Sequence, residues 1–232
     1  MKTDNKKNNG NEVAEYYDNI ASTYDESRFG NTYGEFVDKQ ERRILDGLID
    51  VSRPEQRLEM ACGTGRLTGY ATHALDASDK MMALARERHA GVQFTLASAA
   101  QTGFPDATFD VVYSFHLLMH LDLDLIGQIL AEAHRILKPG GRLIVDIPSR
   151  KRRQLLHHRQ ESWHGATGLS TGDVRRMAGD RFDLGRVHGV MMLPVHKLPV
   201  ALRRPLVGLD YALCGSFLKE YSSYLVFELI KK

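Results

Sequence analysis

Leu58-Glu59-Met60-Ala61-Cys62-Gly63-Thr64-Gly65-Arg66-Leu67-Thr68 decides how this chain folds. An apolar run bearing one acid breaks at Gly-Thr-Gly and then resumes with helix-forming residues. Glycine carries no Cβ and accepts positive φ, so such a turn lets main chain approach a ligand closely. Set between a strand and a helix, it builds a ligand seat at the carboxyl edge of a parallel sheet.

Downstream of this turn, short apolar runs alternate with helical segments, the signature of a parallel sheet covered by helices. The pattern predicts strands at 57–60, 72–75, 92–96, 109–114 and 141–147, with helices at 80–89 and 123–137. Lys138-Pro139-Gly140-Gly141 stops the second helix and turns the chain into the next strand. Further strands are expected at 182–192 and 222–230, and Ser170 or Thr171 caps a helix running through Met177. Upstream, residues 1–11 are Lys/Asn-rich and read as a disordered tail. Helical patterning starts near Glu12 and returns over 36–49, with a polar link at 21–28. The reading is one domain over 12–232, with a helical cap at 12–50 and a helical insertion at 193–220 before the last strand.

Composition narrows the function classes. At 232 residues the chain fits one domain with a substantial core. A formal charge of +2 is too balanced to imply a nucleic-acid partner. Two cysteines, Cys62 and Cys214, make no disulfide framework, and nothing at the amino terminus reads as a signal peptide. No stretch approaches the roughly 20 apolar residues of a membrane span. A soluble cytoplasmic protein is expected, and its oligomeric state is open.

The turn is followed, in order, by Ala74-Leu75-Asp76-Ala77-Ser78-Asp79-Lys80-Met81-Met82, by Phe109-Asp110-Val111-Val112-Tyr113-Ser114 and by Arg135-Ile136-Leu137-Lys138-Pro139-Gly140-Gly141-Arg142-Leu143. That series resembles the class I S-adenosylmethionine-dependent methyltransferases, and Tyr16 to Arg28 is similar to their small-molecule, ubiquinone/menaquinone-type branch. The resemblance implies a Rossmann-like, doubly wound α/β fold: a mostly parallel seven-stranded sheet with an antiparallel last strand. It also implies S-adenosylmethionine as cofactor. On that analogy main chain around Ala61, Gly63, Thr64 and Gly65 holds the methionine part, and Glu59 organises its ammonium end. Asp76 takes the two ribose hydroxyls, a role suited to a group that accepts two hydrogen bonds. Ala77 and Met81 flank the adenine, Ser98 and Ala99 border it, and Ser114 closes the fourth strand. Tyr24 covers the sulfonium through a cation–π contact, and Arg28 reaches the methionine carboxylate.

Two departures from the family pattern stand out. Only six residues, 66–71, separate Gly65 from the expected second strand, whereas a helix crossover usually needs about a dozen. Either the first helix shrinks to a turn or two, or the strand begins later. Ser98 stands where the family usually carries an acid for the adenine amino group, and an uncharged bond is roughly half as strong as a charge-assisted one.

For the chemistry, Phe115-His116-Leu117-Leu118-Met119-His120 follows the fourth strand at the sheet edge. If the acceptor is a phenol or enol, His116 is the first candidate base and His120 the second. Their spacing suits zinc, but no neighbouring acid motif completes such a site, so no metal is expected. The apolar 193–220 segment fits an aromatic or lipidic small-molecule acceptor, and the basic run 150–153 is a solvated turn or a contact for an anionic group. Two other readings remain. A catalytically degenerate interaction protein would explain the short crossover and Ser98. A nicotinamide-dependent oxidoreductase would share the glycine turn and the acid, but Arg66-Leu67-Thr68 lacks that fingerprint's third glycine.

Overall fold

The computed structural model describes residues 10–157 and 165–232. Residues 1–9 of the expected tail lie outside the described residues. The chain opens with α1 (Gly10–Ile20), a 3-10 turn at Ala21–Thr23, α2 (Tyr24–Phe29) and α3 (Thr32–Leu48). The expected polar link at 21–28 is therefore helical. Asp25 and Glu26 sit in the first turn of α2, where acids favour the helix dipole. The Asn31 side chain caps α3 by accepting the Gly34 N–H at 2.9 Å.

The α/β body follows: β1 (Arg57–Met60), β2 (His73–Asp76), α4 (Asp79–Arg88), β3 (Gln93–Leu96), β4 (Phe109–Ser114), α5 (Leu123–Ile136) and β5 (Leu137–Pro148). Then come α6 (Arg150–Leu155), α7 (Thr171–Ala178), β6 (Phe182–Val190), α8 (Val200–Gly215) and β7 (Tyr224–Lys231). The seven strands form one sheet ordered β3-β2-β1-β4-β5-β7-β6. Pairing is parallel from β3 through β5, and β7 runs antiparallel to both neighbours. This is the doubly wound sheet with a reversed last strand that the motif series implied. The order reverses beside β1, which puts the β1 and β4 loops at one crevice.

Boundaries differ in small, explicable ways. β6 ends at Val190 because Met191 takes a φ of 56°, outside extended geometry. β5 starts at Leu137, which pairs with Phe109, ahead of the positive-φ Gly140. Ser170 caps α7 in a full capping box with Asp173. Among the described residues no helix is long and apolar enough to cross a membrane.

The short crossover resolves into a 3-10 turn at Thr68–Tyr70, with β2 starting at His73, one residue later than expected. No α-helix forms there, and the cap covers that face of the sheet instead. Val37, Leu45 and Leu48 of α3 pack with Leu67, Val111, Tyr113 and Ile144 in one cluster. On the other face α5 buries Ile126, Ile129, Leu130 and Ala133 against Leu58, Met60, Val112 and Val145. Both layers bury apolar surface at about 25 cal/mol per Å².

The glycines of the decisive turn serve different ends. Gly65 has φ 87°, and an added Cβ would lie 3.0 Å from Ala85 Cα, so it permits close packing of α4. Gly63 has φ 55°, but an added Cβ would meet nothing within 4 Å. We expect Gly65→Ala to cost about 2–4 kcal/mol, from strain plus overpacking, and Gly63→Ala only about 1–2 kcal/mol of strain. Urea unfolding of the two variants checks this, and equal losses would contradict the division of roles.

Candidate functional site

A cleft opens at the carboxyl ends of β1, β2 and β4. Its walls include Ala61 and Gly63 from the β1 loop and Leu75, Asp76, Ala77 and Met81 from the β2 loop and α4. Ser98 and Ala99 come from the β3 loop, and Phe115, His116 and His120 from the β4 loop. Tyr17 and Tyr24 of the cap also line it.

The link that builds it is between Asp76 and the turn. Asp76 Oδ2 accepts the Gly63 N–H at 2.7 Å, and Oδ1 accepts the Ser78 N–H at 2.8 Å. Each oxygen keeps lone-pair capacity for a further donor. Burial pushes the Asp76 carboxyl above its usual range, opposed by these amides. Ser78 caps α4 by accepting the Met81 N–H at 3.1 Å, so loop and helix start are one construction.

The cap is clasped onto this rim by polar contacts. Asp18 accepts the Ser78 hydroxyl at 2.5 Å. Asp25 takes the Thr64 hydroxyl on one oxygen and the Arg88 guanidinium on the other, each at 2.5 Å. Tyr17 and Tyr24 meet edge to face, with centroids 5.7 Å apart, over the cleft. Sequence reading singled out Tyr24 and passed over Tyr17. The signal was the four-residue step from Val13 to Tyr17, which puts both on one face of α1 and into the cleft.

Beneath the rim lies a charged cluster. Arg66, the residue after the turn, pairs with Asp38 at 2.6 Å and Glu41 at 2.7 Å, and stacks over the Phe29 ring at 4.2 Å. Glu41, fully buried in α3, faces His116 Nε2 at 2.8 Å. His116 Nδ1 faces the buried Asp146 of β5 at 3.5 Å. His116 has φ 59°, and its N–H donates to Asp146 Oδ1 at 2.6 Å, which holds that left-handed backbone in place. Burial opposes charge on His116, yet Glu41 and Asp146 raise its pKa above the ordinary value. Burial likewise pushes Glu41 up, but the His116 imidazole and Arg66 hold it at about 2. Asp146 is raised by burial to about 6, with His116 pulling the other way. Glu41, His116 and Asp146 bring ligand-type atoms within 4.8 Å of one another. The imidazole lies between the two carboxylates, so a protonated His116 together with Arg66 balances their two charges in place.

The other expected site residues distribute as follows. His120 Nδ1 accepts the Gly165 N–H at 3.1 Å, which leaves its proton on Nε2, 3.1 Å from the Tyr17 hydroxyl. Arg28 borders an adjoining cavity with Tyr17, Tyr24 and His120. Thr64 is buried in the turn, and Gly65 gives its carbonyl to His89 Nε2 at 2.8 Å. Ser98 Oγ accepts the Ala100 N–H at 3.2 Å. Ser114 is buried at the end of β4, and its hydroxyl has no hydrogen-bond partner among the described residues. Glu59 lies under the loop, accepting the Thr68 hydroxyl, and is not part of the cleft wall.

Known proteins share part of this sequence and its fold. A family model described as a methyltransferase domain matches residues 58–145. The demethylmenaquinone methyltransferase of Tropheryma whipplei is 29% identical over 151 residues, covering 61% of this chain and 61% of that protein. The malonyl-acyl-carrier-protein O-methyltransferase of Hahella chejuensis is 30% identical over 169 residues, covering 67% of this chain and 55% of that protein. The chain thus matches less than two thirds of these relatives' own lengths. A solved SAM-dependent methyltransferase from Thermotoga maritima superposes with a TM-score of 0.73 at 21% identity, covering 95% of this chain and 100% of that one. At that identity the likeness is one of fold.

Burial pushes the Glu59 carboxyl up to about 8, opposed by the Thr68 hydroxyl and Arg66. An acid raised in this way holds its proton when the unfolded chain would release it. Its contribution is favourable below about 4.5 and is lost as pH climbs to about 8. Glu59→Gln removes that loss, so its melting temperature should gain on wild type steadily between about pH 5 and pH 8.5, and parallel curves would contradict the assignment.

Proposed function

We propose that the chain is a class I S-adenosylmethionine-dependent methyltransferase, and that it transfers a methyl group from that cofactor to a small-molecule acceptor. The observation that carries this reading is the joining of Asp76 to Gly63 across the mouth of one cleft. The residues present fit the cofactor. Open space at Gly63, where a Cβ would meet no atom, leaves room for a ligand against the main chain. Asp76 retains acceptor capacity for two ribose hydroxyls, and Ala77, Met81, Ser98 and Ala99 supply a mixed wall for an adenine.

When bound, S-adenosylmethionine supplies its own electrophile, a methyl group on a positively charged sulfur. The protein's share is positioning. Ala61 and Gly63 present main chain to the methionine part, with Glu59 and Ser114 beneath, while Thr64 and Gly65 turn their carbonyls to Arg88 and His89 and hold the turn. The Tyr24 ring offers its face to the sulfonium, with Tyr17 beside it in the roof. Arg28 has no carboxylate partner among the described residues, and in this reading it takes the cofactor's carboxylate.

The two histidines stand at the rim in different capacities. Both nitrogens of His116 face carboxylates, so we assign it to holding the β4 loop against α3 and β5. Both nitrogens of His120 are also engaged, and its Nε2–H orients the Tyr17 hydroxyl toward the acceptor side. In this arrangement the acceptor arrives already nucleophilic and the cleft excludes water while holding it in line. The cytoplasmic reading is supported by two free, buried cysteines, Cys62 and Cys214.

Calorimetry with S-adenosylhomocysteine tests the reading. Asp76→Ala should weaken binding roughly a hundredfold, the worth of two hydrogen bonds to a charged group. Ser98→Asp should strengthen it several-fold by placing a charged acceptor at the adenine amino group. Wild-type protein that binds no S-adenosylhomocysteine would support a degenerate interaction protein instead.

A further inference from the structure

A second cavity of about 430 Å³ adjoins the cleft, and Tyr17, Tyr24 and His120 line both. Its size falls in the usual range of small-molecule sites. The wall carries Tyr16, Tyr17, Tyr24 and Tyr224 together with two arginines, Arg28 and Arg153, and no acidic residue among the described residues. Sharing three wall residues with the cleft, it adjoins the space where a methyl donor would sit.

The basic run at 150–153 explains one of these cations. Arg150 pairs with Asp173 at 2.9 Å and Lys151 with Glu220 at 2.8 Å. Arg152 donates to the carbonyls of Met192 and Tyr221, both at 2.8 Å. Of the four, Arg153 turns to the cavity, where among the described residues its Nη1 donates to the Ala166 carbonyl alone, at 3.2 Å. Gly168 makes room for it: an added Cβ there would lie 3.1 Å from Arg153 Cδ and 3.2 Å from Nη1. The fold thus lays this guanidinium along the cavity wall while giving it no carboxylate among the described residues.

Two cations face one cavity, and the cofactor brings a single carboxylate, which Arg28 accounts for. One positive charge remains. We propose that the second cavity receives the acceptor, and that the acceptor is a planar, aromatic carboxylate whose anionic group Arg153 binds while its ring packs among the tyrosines. A monoanion matches the one unanswered guanidinium, and the fork geometry of arginine suits a carboxylate. Aromatic walls suit a ring. This inference rests on the methyltransferase reading for the occupancy of Arg28, but not for the anion at Arg153.

The test is calorimetry on full-length protein, with and without saturating S-adenosylhomocysteine, using 4-hydroxybenzoate and 2-naphthoate and the neutral amide of each. At least one acid should bind, and at least about tenfold more tightly than its amide. Arg153→Gln should erase that preference, and Arg153→Lys should restore part of it. Neither variant should change S-adenosylhomocysteine affinity or melting temperature. Failure of both acids to bind, equal binding of acid and amide, or a preference that survives Arg153→Gln would overturn the proposal. If the acid preference holds while S-adenosylhomocysteine does not bind at all, the anion site stands and the methyltransferase reading falls.

Discussion

The site depends on one hydrogen bond, from the Gly63 main chain to the Asp76 carboxylate. It fixes the loop after β1 against the end of β2, two neighbours in a parallel sheet. A carboxylate in that place must take main-chain donors, because burial disfavours its charge unless hydrogen bonds compensate. The same group that shapes the empty-sided turn is then the one presented to a ligand. Loop geometry and recognition chemistry are thereby a single feature. Gly63 keeps the ligand side open, and Gly65 keeps the helix side close.

The second constraint is the cap. With the first crossover reduced to a 3-10 turn, one face of the sheet lacks its usual helix, and α3 takes that place. Its attachment is partly ionic: Arg66 from the turn, Glu41 from α3, His116 from the β4 loop and Asp146 from β5 form one buried chain of charges. Breaking a buried pair by removing one partner is costly, typically about 3–5 kcal/mol, because the other charge is left unpaired. The cap is therefore held as part of the domain, and the tyrosines it carries stay over the cleft. Shortening the crossover and enlarging the cap are two halves of one arrangement.

Much of this was legible in the sequence. The Gly-Thr-Gly turn, Asp76 at a strand end and the Pro-Gly-Gly stop marked a parallel sheet covered by helices, because each is a local backbone requirement; the reversed last strand followed only from the family resemblance, and the strand order needed the fold. Ala77, Met81, Ser98 and Ala99, which line the cleft, were reached through that resemblance. The chemistry of the histidines was not. Whether His116 is a base depends on what faces its nitrogens, and Glu41 lies 75 residues away in sequence, a separation no periodicity reports. Arg153 was hidden inside a run of like charges, and only the fold separates it from its three paired neighbours. The helical character of 24–29 escaped because its polar residues find partners in Thr64 and Arg88, beyond any local pattern.

The most direct measurement is a crystal structure of the protein with S-adenosylhomocysteine. The account predicts the ribose hydroxyls on Asp76, the amino-acid end against the main chain of residues 61–65, and the sulfur beneath the Tyr17 and Tyr24 rings. A ligand bound elsewhere, or a ribose out of reach of Asp76 with the Gly63 bond unchanged, would contradict it.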